Sequence, residues 1–491
     1  MWFRGRTVVA MMVLTTIAAC MATYAYFELP EWGFQSSSAQ TGTAAPYIKD
    51  GLSQDELDKL NKALGLIENR FIDPMDREKL VDGAIQGMVE SLRDPYSVYK
   101  PEVEADQFNE MLQGAFTGIG ANLRVDNGSI VVEAPIRGSP AERAGLQPDD
   151  ILLSINGESL HGLTLSEAVG KIRGPKGTKA KLKVQRGGAA DPIELELVRD
   201  RIDLETVHSE IGSDGVGHLI INQFGEDTSV QVAEELKAME EKGLKALVID
   251  VRDNPGGLLQ SVIDVADQFM EKGKVIVQSE YRNGKRKVDV AANGAKNDKF
   301  YPLIVLVNNG SASAAEILAG ALKQSANAVI MGETTYGKGT VQVPFNDELG
   351  DRSMVKLTVY KWLLPDGTWI HEKGITPDIE VIQPEYFLAS RLPRDYVLKY
   401  DTTGEAVTNL QNILAGVGFP ADRTDGYFSQ ATKSALEQFQ ASESLPVTGD
   451  VNAETAQRLE EALYINLQNP VHDKQLQAAL TEAREKIQVS P

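Results

Sequence analysis

Apolar residues near the start of the chain recur at helical spacing. Leu57, Leu60, Leu64 and Ile67 fall three and four apart, on one helix face. Ser53 and Glu56 ahead of them form a capping-box pattern. A second helix is predicted over 76–92, with Leu80, Ala84, Ile85, Met88 and Val89 on one face and Asp94-Pro95 ending it. Two helices cannot bury both faces, so they are expected to pack on another domain or on a second copy of the chain. From about Phe116 to Arg199 the pattern becomes one of short strands, "GSIVVEAPI", "DDILLSING" and "AKLKVQR", with one helix, "TLSEAVGKIRG". Between Ile202 and Glu380 the strands "GHLIINQF", "ALVIDV", "PLIVLV" and "AVIMGE" alternate with the helices "SVQVAEELKAMEEKG" and "SAAEILAGALKQ". That alternation predicts a parallel or mixed sheet with crossover helices. From Asp401 the chain is helical again, and Gly426, Thr432 and Leu436 are spaced as Gly449, Thr455 and Leu459, a half-repeat. Residues 474–487 read as an amphipathic terminal helix.

The chain has 491 residues and a net charge of -21, which argues against nucleic-acid or anionic-lipid binding through bulk charge. Its single cysteine, Cys20, allows no intrachain disulfide and no cysteine-based metal site. Arg4 and Arg6 precede an uncharged run from Thr7 to Phe27, and Glu28 and Glu31 follow it. That run has the length of a membrane-crossing helix, and the charge asymmetry places the body of the chain outside the cytoplasmic membrane. A cleaved signal peptide and a lipid anchor on Cys20, within "IAAC", are the rival readings, and all three export the body. Residues 35–46 are small and polar and read as a tether.

One stretch carries chemistry. After the apolar strand Leu303–Val307 come six small residues, Gly310 to Ala315, at a helix start near Ser313. A hydroxyl at a helix N-terminus, beside outward N–H groups, can attack a carbonyl and stabilise the resulting oxyanion. The plain alternative is a helix N-cap. "GETTYGKGTVQ" shifts the balance. Lys338 lies between two glycines that let the backbone bring the amine inward, and on an extended strand Lys338, Thr340 and Gln342 share a face. Burial lowers a lysine pKa, and a neutral amine can take the serine proton. Gln342 could hold that amine by its side-chain oxygen without restoring its charge. In "VIDVRDNPGGLL" a strand ends in a Pro-Gly-Gly turn, so Gly256 or Gly257 could supply a second oxyanion N–H; a simple turn is the alternative. The five histidines, His161, His208, His218, His371 and His472, sit in no recognised catalytic context; His208 is the least implausible histidine base.

"FTGIGANL" and "GSPAERAGLQPDDILLSING" resemble a PDZ domain. Gly118, Ile119, Gly120 and Ala121 form its carboxylate-cradling loop, and the next strand pairs with a peptide. "LQNILAGVGF", "ALEQFQ" and the half-repeat resemble the peptidoglycan-binding domain of cell-wall hydrolases; a helical module that only packs or dimerises is the other reading. The order PDZ, "DVRDNPGGLL", "VLVNNGSASAAEILAGALKQ", "GETTYGKGTVQ" resembles the carboxy-terminal processing peptidases over nearly the whole chain. The resemblance implies Ser313 as nucleophile, Lys338 as general base and Gln342 as its support. It also implies oxyanion donors at Ala314 and the Gly256-Gly257 turn, and Arg173 as the residue coupling PDZ docking to the core.

The expectation is therefore a multidomain α/β protein with a crotonase- or Clp-protease-like core, an inserted PDZ domain, N-terminal helices and a small helical C-terminal domain. The segments are an anchor and linker (1–46), a helical region (47–112), a PDZ domain (113–200), the protease core (201–395), a peptidoglycan-binding-like domain (400–466) and a C-terminal helix (467–491). The implied activity is a membrane-anchored, extracytoplasmic serine endopeptidase acting on proteins with free C-termini, with no cofactor, metal or nucleic acid and with peptidoglycan as a possible partner. The terminal helices argue for a homodimer. A wall-associated scaffold with an inert core is the competing class.

Overall fold

Ser53 and Glu56 cap each other reciprocally, as their spacing predicts, and α1 (Gln54–Arg70) starts there. The computed structural model describes residues 51–489 except positions 127, 137, 188–191, 204–205, 296–300, 347 and 395. The expected anchor 7–27, Cys20 and the tether 35–46 lie outside the described residues. Among the described residues no helix is long and apolar enough to cross a membrane. α2 (Arg77–Glu90) follows, and the first compact unit ends inside it at Val81. α1 buries none of its residues, and Leu57, Leu60, Leu66 and Ile67 stay exposed.

The second unit runs from Asp82 to the C-terminus. The stretch expected to be helical also contains a short strand. β1 (Val98–Lys100) is a strand, and α3 (Glu102–Leu112) follows it. β1 pairs antiparallel with a long strand of the core, Val98 opposite Lys356. Three residues are too few to show a period in sequence, so only the partner strand identifies this one.

The PDZ-like region holds β2 (Ala115–Gly118), β3 (Ala121–Asp126), β4 (Ser129–Pro135), the single turn α4 (Pro140–Arg143), β5 (Ile151–Ile155), β6 (Glu158–Ser159), α5 (Leu165–Ile172), β7 (Lys179–Gln185), β8 (Ile193–Val198) and β9 (Asp200–Asp203). The strands order as β3-β4-β5-β7-β8 with β6 on β5, while β2 pairs with β9. β7 shows why this sequence makes a one-sided sheet. Ala180, Leu182 and Val184 are buried and Lys179, Lys181 and Lys183 point outward. β3 is an edge strand of this sheet and packs beside α5.

The core follows with β10 (Val207–Ile211), β11 (Val216–Ile221), α6 (Thr228–Glu241), β12 (Ala246–Asp250), α7 (Leu259–Asp267), β13 (Val275–Tyr281), β14 (Arg286–Val290), β15 (Leu303–Val307), α8 (Ala314–Ser325), β16 (Val329–Gly332), β17 (Thr340–Phe345), β18 (Met354–Leu363) and β19 (Ile379–Glu380). The central sheet is β10-β11-β12-β15-β16-β19, parallel except for the antiparallel edge β10. β12 and β15 are buried at every position, as continuous apolar runs in a parallel sheet require. A second, antiparallel sheet, β1-β18-β13-β14 with β17 on β18, has no counterpart in the sequence reading. β17 and most of β18 are only half-buried and carry Lys, Thr, Gln and Pro. Their apolar signal is weak for that reason.

α9 (Glu405–Gly416), α10 (Gln430–Ser442) and α11 (Ala453–Leu467) form the helical module around Leu410, Phe428, Leu436, Phe439 and Leu459. The half-repeat is built twice alike. Gln411 accepts from the Gly426 N–H and donates to Thr432, while Gln440 accepts from the Gly449 N–H and donates to Thr455. α12 (Lys474–Val489) then returns to the core. Its Leu476, Ala479 and Ala483 cover Val216, Ala246, Val248, Ile304 and Leu306, a face of the central sheet. The apolar stripe of this terminal helix is thus buried within its own chain and offers no free face to a second copy.

Candidate active site

Three turns at the carboxyl ends of β12, β15 and β16 converge. Ser311 hydroxyl donates to the Val251 carbonyl at 2.7 Å, and Asp253 and Asn308 exchange two hydrogen bonds of 2.9 Å. These lock the turn after β12 to the turn after β15. Of the two serines in the small-residue run, Ser311 is therefore structural.

Ser313 stands at the N-cap position of α8, but its backbone is unlike that of an ordinary cap. It has φ 56° and ψ -112°. Ser53, Ser139, Thr164 and Ser429 cap their helices in the extended region, at φ -61°, -79°, -65° and -77°. A positive φ on a residue with a Cβ costs about 1–3 kcal/mol and persists only where its surroundings enforce it. Ser313 is partly exposed while Ala312, Ala314 and Ala315 are buried. The plain-cap reading does not explain this geometry.

Glu316 does the enforcing, and the sequence reading missed it. Its side chain is wholly buried. One carboxylate oxygen accepts the Ser313 N–H at 2.8 Å and the Lys338 N–H at 2.9 Å. The other accepts the Gly337 N–H at 2.7 Å and the Thr335 hydroxyl at 2.6 Å. A single carboxylate so joins the serine turn to the lysine loop, and the Ser313 and Lys338 nitrogens lie within two hydrogen-bond lengths of each other. The available signal was the S-x-x-E spacing of Ser313 and Glu316, the pattern of Ser53 and Glu56.

Lys338 precedes β17 rather than lying on it. Its flanking glycines are required by close packing. A Cβ on Gly337 would sit 2.8 Å from the Gly374 nitrogen, and one on Gly339 would sit 2.6 Å from Trp369 Nε1. Trp362 donates to the Lys338 carbonyl, Trp369 donates to the Gly339 carbonyl, and the Gly339 N–H donates to His371 Nδ1. His371 is thus a loop anchor. Burial pushes the Lys338 amine below the ordinary lysine range and nearby Lys356 adds to this, while Glu316 and Asp94 oppose it. Gln342 donates from Nε2 to the Thr340 and Thr358 hydroxyls, both at 3.0 Å. This leaves its oxygen as the acceptor for an amine.

The oxyanion candidates divide. The Gly256 N–H donates to buried Asn254 Oδ1 at 2.8 Å, so it is occupied. Gly256 matters instead as a spacer, since a Cβ there would meet Ser313 Cβ at 2.9 Å and the Ala314 nitrogen at 3.0 Å. Among the described residues no hydrogen bond takes up the N–H of Gly257 or Ala314. The Asn254 side chain also donates to the Ile221 carbonyl, and its backbone carbonyl accepts the Ala312 N–H.

Behind the turn, Arg252 bridges Asp250 and Asp473, the residue before α12. Burial alone would raise the Asp250 carboxyl, but the His218 hydrogen bond and the Arg252 charge outweigh it and hold the group at about 2.

The glycine loop of the PDZ-like region lies elsewhere in this unit. Ile119 is buried, and Gly120 takes φ 77° with no room for a Cβ, which would meet Ser139 Cβ at 2.3 Å. Ala121 opens β3, and among the described residues no hydrogen bond uses the Ile119 or Gly120 N–H. Arg173 lies 5.1 Å over the Phe116 ring and pairs with Glu110 of α3, whose other oxygen accepts the Thr117 N–H. α3 in turn meets the core through the Arg352 pairs with Glu102 and Asp106. His208 sits on the edge strand β10. Among the described residues no group of three His, Cys, Asp or Glu side chains has metal-holding geometry.

Residues 215–381 match the model of peptidase family S41, 131–186 a PDZ domain, 403–459 a putative peptidoglycan binding domain and 16–103 the activating protease CtpB N-terminal domain. The chain is 42% identical over 462 residues to carboxy-terminal processing protease CtpB of Bacillus subtilis (strain 168), covering 93% of this chain and 94% of that protein. It is 42% identical over 422 residues to CtpA of the same organism, covering 86% and 88%. Among solved structures, the photosystem II D1 C-terminal processing protease is 26% identical, covers 67% of this chain and 94% of that one, and has a TM-score of 0.41. The family models and the two Bacillus subtilis relatives define a serine-type peptidase with a PDZ domain. The chain belongs to the carboxy-terminal processing proteases of peptidase family S41.

Proposed function

We propose that this chain is an extracytoplasmic endopeptidase in which Ser313 attacks, Lys338 accepts and returns the proton, and Gln342 positions the amine. As Ser313 Oγ bonds the scissile carbonyl carbon, its proton passes to the neutral Lys338 amine, and the carbonyl electron pair moves onto oxygen. The N–H groups of Ala314 and Gly257 receive that oxyanion. The ammonium then protonates the leaving amine, and water repeats the sequence on the acyl-enzyme. The observation that carries this reading is the Glu316 carboxylate joining the Ser313 and Lys338 backbones, with Ser313 forced to positive φ.

Substrate C-termini enter, in this reading, at the Ile119–Ala121 cradle and add a strand to the free edge of β3, with Arg173 linking that event to the core. Charge asymmetry around 7–27 supports an anchored body outside the membrane. The exposed apolar side chains of α1 support a homodimer, and the helical module supports peptidoglycan association. The test is turnover of an unfolded, casein-like protein by wild type, Ser313→Ala and Lys338→Ala, with mass spectrometry of the products. Loss in both variants is expected. Equal turnover by all three would discard the mechanism, and absence of turnover by wild type would favour the scaffold class. Because burial lowers the Lys338 amine, activity should rise with pH through a midpoint below about 10.4, the solvent value.

A further inference from the structure

The loop after α2 brings an aromatic ring to the lysine. Asp94 accepts the Ser97 hydroxyl and the Tyr96 N–H, closing a turn. Ser97 hydroxyl in turn accepts the Thr358 N–H, and the Thr358 hydroxyl accepts from Gln342. Residue Tyr96 is thereby fixed on the strand that also fixes Gln342. Its ring lies beneath the lysine amine, with Nζ 5.0 Å from the centroid. The charged groups that act on that amine are Lys356 of β18, Glu316 of α8 and Asp94 of the turn, while Tyr336 and His371 flank the Tyr96 ring.

A base that takes a proton becomes a cation, and catalysis gains only from contacts that strengthen as that charge forms. Glu316 already receives four donors through its two oxygens. Asp94 is engaged by Ser97 and the Tyr96 N–H. The negative face of an aromatic ring attracts a cation and barely interacts with a neutral amine. We propose that the face of the Tyr96 ring stabilises the ammonium formed when Lys338 accepts the serine proton, making Tyr96 a catalytic residue. This rests on the reading of Lys338 as the base.

The test places fluorinated phenylalanines of increasing fluorine content at position 96 of the full chain, beside Tyr96→Phe, Tyr96→Leu and Lys338→Ala. Fluorination weakens the ring's negative face while nearly preserving its shape. kcat/KM for an unfolded protein is measured against pH, and thermal unfolding reports whether each variant folds. Tyr96→Phe keeps the face, so its plateau should stay within about threefold of wild type. Tyr96→Leu should lose about 10- to 30-fold. Removing the ring makes the ammonium less stable, so the amine loses its proton more readily. The midpoint at which activity rises should therefore move to lower pH, by about 1–1.5 units. The fluorinated series should move plateau and midpoint together and in order. A flat fluorinated series, or a lowered plateau with an unmoved midpoint, would overturn the proposal and leave Tyr96 a packing residue. Retained activity in Lys338→Ala would instead overturn the assignment of the base.

Discussion

Replacing Glu316 by glutamine tests how the two halves of the site are held together. The side chains are nearly the same size, so packing is preserved. What changes is the donor count. Four donors converge on the two carboxylate oxygens, two on each. A glutamine amide has one oxygen and one NH2 group, so either orientation turns the NH2 toward two donors. Either the Ser313 and Lys338 N–H groups or the Gly337 N–H lose their acceptor, since the Thr335 hydroxyl can turn to accept from the NH2. At least one buried N–H is left without an acceptor and the remaining bonds lose a charged one, where each such bond is worth about 1.5–3 kcal/mol. Relaxation of the lysine loop recovers part of this, so Glu316→Gln should destabilise by about 3 kcal/mol. For a domain of this size that lowers the melting temperature by about 6–12 °C. The surviving folded enzyme should be slow as well, since a displacement of about 1 Å between reacting groups costs about 100-fold. Calorimetry and kcat on an unfolded protein substrate, measured well below the melting temperature, read the two effects separately. An unchanged melting temperature together with kcat within twofold of wild type would refute the reasoning, because three N–H donors on opposite sides of the group cannot all be satisfied by one amide.

Gly339→Ala places a Cβ 2.6 Å from Trp369 Nε1 and 2.9 Å from His371 Cβ, so the loop must shift; kcat should fall about 100-fold. Asp250, held at about 2 against about 3.9 unfolded, adds about 2–3 kcal/mol of stability above pH 4 that is lost as pH falls toward 2. Acid unfolding followed by circular dichroism should show a shallower fall over that window in Asp250→Asn. Deleting residues 468–491 uncovers Val216, Ala246, Val248, Ile304 and Leu306 and removes Asp473 from Arg252. The truncated chain should lose cooperative unfolding, whereas Asp473→Ala alone should lower the melting temperature by only several degrees.

The sequence determined a great deal here because its signals are local. Continuous apolar runs at 246–249 and Leu303–Val307, each too short for a helix and alternating with helical segments, read as buried strands. The small residues around Ser313 and the glycines beside Lys338 marked places where backbone comes close, and the clashes that a Cβ would create at Gly337 and Gly339 are the reason. Tertiary structure alone decided what those segments meet. Asp94-Pro95 read as a helix stop, yet the turn it opens carries Tyr96 to the lysine, 242 positions further along the chain. Gly256 and Gly257 are equivalent in sequence, but buried Asn254 takes up one N–H and leaves the other. Glu316 looks like a helix cap until the Lys338 loop folds onto it. α12 looks like a free amphipathic helix until it closes the central sheet. Helices, strands and turns follow from periodicity and local sterics over a few residues. The partners of a buried hydrogen bond are chosen by the folded chain as a whole, and no local pattern encodes that choice.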